Sequence, residues 1–191
     1  MAKRVYFAFH YQDVIDFRAN VVRNHNALVT SQKAGYFDAS IWEEALKKGD
    51  IALKRMINSE LNNTSVTAVL IGSETYRRTW VRYEIFKSIE VGNLLLGIHI
   101  NGIPCKNKET KDLGPDPFKH CALRISADGT KGTPMVWNVD KWTTFVKFGE
   151  FEIGTQSAAR RGKILPLTTW FSTYKWNADN GFANFSKWIG A

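Results

Sequence analysis

The chain has 191 residues, 44% of them hydrophobic and 23% charged, with a formal net charge of +8. That length supports one sizeable core and is short for two ordinary domains, and no apolar run approaches a membrane span. Two cysteines, Cys105 and Cys121, are too few for a disulfide framework, so a reducing cytoplasm is the expected compartment. The opening Met-Ala-Lys-Arg leads into a strand rather than a signal-peptide core, and no membrane partner is expected. Excess positive charge favours anionic partners. Lys and Arg are spread along the chain, however, and no helix-turn-helix or RNA-binding signature accompanies them, so nucleic acid is not expected. A dinucleotide is also anionic, and a solvated basic surface explains the charge equally well.

Residues 4–9 read as a first strand, apolar on both faces and therefore central. Asp13 and Asp16 cap an expected helix to about Asn24, with Val14, Phe17 and Val21 inward, and His10 lies between strand and helix. Residues 33–38 read as a short second strand, and Ser40-Ile-Trp-Glu43 fits a capping box. After a pause at Gly49, Asp50 restarts a helix whose stripe is Leu53, Met56, Ile57 and Leu61.

Residues 66–71 are a β-branched apolar run, the mark of a strand covered on both faces. Gly72 and Ser73 supply a tight turn and an N-cap, and from Thr75 the spacing turns helical, with Val81, Ile85 and Ile89 as the packing stripe. Gly92-Asn93 ends that helix, and 94–100 read as a fourth buried strand. Residues 101–119 are rich in Gly, Pro and Lys and are expected to cover a pocket or meet a partner. Residues 134–138 and 164–168 read as late strands, and 181–189 as a terminal helix with Phe182, Phe185, Trp188 and Ile189 inward.

Strand and helix alternate, so the expected fold is α/β: a flavodoxin-like three-layer sandwich with a central, mainly parallel sheet in the order 2-1-3-4-5. Ligands of such sheets bind outside the carboxyl ends of the strands at the switch point, here where the loops after Phe9 and Ile71 meet. All 191 residues are expected to form one domain, elaborated from about residue 120.

Trp80 and Glu84 are four apart and share a helix face. A planar side chain one turn from a carboxylate suits a flat ring attached to a sugar. On spacing alone, Glu84 reads better as a surface residue paired with Arg77, Lys87 or Ser88. His10, His25, His99 and His120 lack ligand spacing, so no metal is expected. There is no Gly-x-Gly-x-x-Gly, no Walker loop and no nucleophile elbow.

Trp80-Val-Arg-Tyr-Glu84 after a strand ending Leu-Ile-Gly-Ser resembles TIR and TIR-like domains that cleave NAD, in which one helix carries a Trp-x-x-x-Glu pair. The stretch from Lys3 to Asp13 resembles the first strand and loop of that group. Phe37-Asp-Ala-Ser40 and Gly114-Pro-Asp-Pro-Phe118 narrow the resemblance to the ThsB type of TIR-like proteins from bacterial Thoeris antiphage defence. The resemblance implies Glu84 as the catalytic carboxylate and Phe9, His10, Asp38, Ser40, Gly72, Ser73, Trp80 and Tyr83 as substrate contacts. It implies NAD as substrate with no further cofactor, and cleavage of the nicotinamide-ribose bond. Closure to a cyclic ADP-ribose isomer then signals phage infection to an effector. The resemblance also implies a phage component as trigger and a homo-oligomer on activation. A plain NAD glycohydrolase and a non-catalytic interaction scaffold are the rival readings.

Overall fold

The computed structural model describes residues 3–25, 44, 45 and 47–190. The expected second strand, the Ser40 capping box, and Asp38 with it lie outside those residues. In chain order the first elements are β1 (Val5–Ala8), α1 (Tyr11–Ile15), α2 (Arg18–Arg23), α3 (Asp50–Asn62), β2 (Val66–Ile71), α4 (Thr79–Glu90) and β3 (Leu94–His99). Next come α5 (Pro117–His120), β4 (Cys121–Ile125), β5 (Lys131–Asn138), β6 (Lys141–Thr144), β7 (Phe151–Glu152), β8 (Ile164–Pro166), β9 (Thr173–Lys175) and α6 (Gly181–Trp188).

Four strands form an all-parallel sheet in the order β1-β2-β3-β9. Its register places Tyr6 opposite Thr67 and Ala8 opposite Val69. Side chains alternate across a strand, so Tyr6, Ala8, Val69 and Ile71 enter one core with Ile57 of α3, Ile85 of α4 and Leu123 of β4. Val5, Phe7, Ala68 and Leu70 enter the other, against Ala19 and Val22 of α2 and Phe185 of α6. Both faces are therefore covered, which is why β2 is apolar but for Thr67, whose buried hydroxyl is bonded to Ser88 and Asn93.

The expected late strands do not extend this sheet. They become β5 and β8 of a separate antiparallel sheet ordered β6-β5-β4-β8, with β7 also pairing β5. The place beside β3 goes instead to the three-residue β9. No helix among the described residues is long and apolar enough to cross a membrane.

Two helices differ from expectation. The helix expected from Asp13 to about Asn24 is broken at Phe17, whose φ of 66° is left-handed, and the break rotates the phase of α2. Arg18, Ala19 and Val22 then face inward, while Phe17 and Val21 are exposed. In α6, Phe185 is buried but Phe182 is 67% exposed, lying edge-on to the His25 ring at 5.0 Å. The end of α4 conforms to its glycine: Gly92, at φ 77°, lets Asn93 N donate to Ser88 O at 3.0 Å and Gly92 N to Ile89 O at 3.1 Å.

After β3, residues 101–116 form a strap over the carboxyl ends of β1 and β2. Asn101 Nδ2 donates to Ser73 Oγ at 3.2 Å and to the Asp112 carbonyl. Gly114 lies so close to Gly72 that a Cβ on it would overlap the Gly72 carbonyl oxygen, a backbone atom that cannot swing aside. Gly114→Ala is therefore expected to destabilise the protein by about 1–3 kcal/mol. In a thermal melt this appears as a fall of several degrees.

Candidate active site

Helix α4 carries the site. Val81, Ile85 and Phe86 bury its inner face against the sheet, and that packing takes Glu84 inside with them, at 5% exposure. Its neighbours there are not the cations or the serine hydroxyl that spacing suggested. The Tyr6 hydroxyl of β1 donates to Glu84 Oε1 at 2.5 Å, the one side-chain hydrogen bond to this carboxyl among the described residues. Ser88, one turn on, lies 2.6 Å from the Glu84 carbonyl oxygen and 2.8 Å from Thr67 Oγ1, which ties this turn of the helix to β2.

Burial dominates the electrostatics. Removal from water pushes the Glu84 carboxyl up to about 8, with the Tyr6 hydrogen bond pulling the other way. Burial and the neighbouring Glu84 raise the Tyr6 phenol, so it stays protonated and remains the donor.

Trp80 is half-buried in the first turn of α4, about 6 Å of helix rise before Glu84. Its ring meets that of Tyr83 edge-on, centroids 5.6 Å apart. Tyr83 itself is buried: its hydroxyl donates to Asn58 Oδ1 of α3 at 3.0 Å and its ring lies 5.1 Å from Phe148. It packs α3 against α4 and sets the wall on which Trp80 leans.

Of the other expected contacts, Phe9, His10, Gly72 and Ser73 gather at the carboxyl ends of the strands, in hydrogen-bonding groups separate from the Tyr6–Glu84 pair; Asp38 and Ser40 lie outside the described residues. Phe9 and His10 are half-buried just after β1. Burial and the charge of Arg78 lower the His10 pKa, so the ring is neutral at pH 7. Gly72 N donates to Thr75 Oγ1 at 2.9 Å, and Ser73 meets the strap through Asn101. The Asp13 carboxyl lies directly on Gly72, filling the space a Cβ would need. Burial pushes Asp13 up to about 6, and its Oδ2 has no hydrogen-bond partner among the described residues. The space between the loops after β1 and β2 is thus taken up by the chain's own strap and by Asp13.

Sequence reasoning missed Tyr6, Asp13 and the strap anchors. Tyr6 was visible as the one hydroxyl in an otherwise apolar strand, but which face it takes depends on its register against Thr67.

A family model described as "Thoeris protein ThsB, TIR-like domain" matches residues 6–104, a span that holds both Tyr6 and Glu84. The chain is also similar, at 50% identity over 191 residues covering 99% of it and 100% of the relative, to a protein of Bacillus cereus (strain MSX-D12). That protein is named "Putative cyclic ADP-D-ribose synthase ThsB1".

Proposed function

Because the chain belongs to the ThsB family of TIR-like Thoeris proteins, we propose that it breaks the nicotinamide-ribose bond of NAD and closes the remainder into a cyclic ADP-ribose isomer. The observation that carries this reading is the buried carboxyl of Glu84, held by Tyr6 one helical turn beyond Trp80. The relative's name supports the cyclic product.

Nicotinamide leaves with the bonding electrons, turning from a cationic ring into a neutral one, so no acid is needed to protonate it. What needs help is the positive charge that grows on the ribose, and a fixed carboxylate in a dry site supplies it. With a carboxyl pKa of about 8, Glu84 is mostly neutral at pH 7 before substrate arrives. A cation within ~4–6 Å lowers a carboxyl pKa by about 1–3, so a nicotinamide nitrogen bound that close shifts Glu84 toward the carboxylate, its proton passing to solvent. The negative charge then appears where and when it is required. Trp80 offers a flat surface for the leaving ring or the base.

A hydroxyl of the same molecule captures the anomeric carbon and loses its proton, which gives a cyclic product; capture by water gives linear ADP-ribose. Residues 1–191 act as one TIR-like unit with an elaboration from about residue 120, a reading supported by the core that α4 shares with β4 and β5. A phage component triggers it, assembly into a homo-oligomer accompanies activation, and the messenger reaches an effector through the cytoplasm. The test is mass analysis of small molecules in phage-challenged cells expressing the chain. Nicotinamide together with a cyclic ADP-ribose isomer is expected. Linear ADP-ribose alone overturns the cyclase, and unchanged NAD with protection from phage retained overturns the enzyme.

A further inference from the structure

Resting on the reading of Glu84 as the catalytic carboxylate, we propose that Tyr6 is its positioning residue: the phenol holds one carboxyl oxygen of Glu84 and leaves the other for the ribose. Tyr6 is 1% exposed, and its hydroxyl meets Oε1 at 2.5 Å across 78 residues of sequence. The orientation of the carboxyl is therefore set by how α4 packs on β1, not by the local freedom of a glutamate on a helix.

Packing alone does not ask for a tyrosine there. Of the residues that share its face, Ala8, Val69, Ile71 and Leu95 are aliphatic and Thr67 already has its hydroxyl on Ser88 and Asn93; a phenylalanine would fill the same space without burying a hydroxyl. A buried hydroxyl is costly unless it is bonded, and the partner here is another polar group that is equally costly alone. Each explains the presence of the other.

The surroundings keep the phenol a donor. Glu60 of α3 adds negative charge that raises it further. Elsewhere on α4, Lys87 pairs with Glu90 at 2.5 Å, and the Tyr83 hydroxyl, buried against α3, donates to Asn58. From β2 the neighbour is Thr67, which carries no charge. Tyr6 thus touches neither leaving group nor sugar; it acts through Glu84, by favouring the ionised carboxylate and by fixing its rotamer.

Tyr6→Phe tests this in the full chain through three readouts. Infrared difference spectroscopy, with Glu84→Gln to assign the band, follows the Glu84 carboxyl directly, and in Tyr6→Phe its titration is expected to move to higher pH. NAD cleavage at pH 7 is expected to fall about 10–100-fold, the loss of one hydrogen bond to a charged group, through kcat rather than KM. Part of that loss is recovered as the pH is raised. Placing 4-aminophenylalanine at position 6, which keeps a donor on the ring, is expected to restore the rate to within about threefold. A carboxyl titration unchanged in Tyr6→Phe overturns the proposal, whatever happens to the rate. A loss of rate that accompanies a lost melting transition and is not rescued by the amino ring also overturns it. If the titration moves as expected but the wild-type chain never consumes NAD, even in phage-challenged cells, Tyr6 still holds Glu84 and the NAD reading is what falls.

Discussion

Glu84→Gln is expected to abolish NAD cleavage while making the folded protein more stable at neutral pH. Glutamine keeps the length of the side chain and an oxygen to accept the Tyr6 hydrogen bond, but it cannot become negative as the nicotinamide bond breaks. Removing one preorganised electrostatic group of this kind commonly costs about 10²–10³ in rate. The stability effect arises from linkage. Burial raises the Glu84 carboxyl from an ordinary 4.5 to about 8, so between those values the folded chain holds a proton that the unfolded chain has lost. Stability contributed by this group is complete below pH 4.5 and declines as pH rises toward 8, at up to about 1.4 kcal/mol per pH unit. Glutamine does not titrate, so Glu84→Gln removes that decline, a gain on the order of 3 kcal/mol at pH 7. Urea melts of both proteins at pH 5 and pH 8 check it: the two curves should lie close at the lower pH and separate at the higher. Equal separation at both pH values would mean that the carboxyl is not buried in its neutral form. A site that lowers stability where it does chemistry is the expected signature of a catalytic group held against its own solvation.

The same pair shows what the sequence could and could not tell. Trp80 and Glu84 are legible because helical spacing is local: four residues make one turn wherever the helix lies. Tyr6 is not, since its partner depends on a register between strands 61 residues apart, Val5 with Val66, and a slip of one residue would turn it to the other face. The break at Phe17 escaped for a related reason. A phenylalanine at positive φ has no local signal, and its break turns Arg18 inward. The three parallel strands β1, β2 and β3 were legible from their nearly continuous apolar runs. The short β9, by contrast, is a strand only because the edge of β3 is open beside it.

Arg18→Ala is expected to release the strap and cost about 2–4 kcal/mol, the loss of three hydrogen bonds from one buried guanidinium. Arg18 is 1% exposed and spends its guanidinium on three acceptors. Nε donates to the Ile103 carbonyl at 2.9 Å, Nη2 to the Glu109 carbonyl at 2.9 Å, and Nη1 to Asp16 Oδ2 at 2.7 Å. Asp16 is held in turn by Lys111 Nζ at 2.5 Å, so one arginine joins the α1–α2 turn to both limbs of the strap. Arg18→Lys should recover little, because a single ammonium cannot reproduce a planar fork aimed at three separate oxygens. Urea unfolding gives the magnitude, and hydrogen exchange gives the place. The amides of Cys105, Lys108 and Lys111, bonded within the strap or to Asn101, should lose protection before those of β2. A loss under about 1 kcal/mol, with those amides still protected, would mean that Asn101 and Gly114 hold the strap unaided. The distinction bears on activity as well as stability. The strap presses on Gly72 and Ser73 at the carboxyl ends of the strands, while Glu84 depends on β1 and α4, so Arg18→Ala should leave the Tyr6–Glu84 hydrogen bond intact. Its effect on NAD turnover therefore measures how far the strap, rather than the carboxylate, governs entry of the dinucleotide.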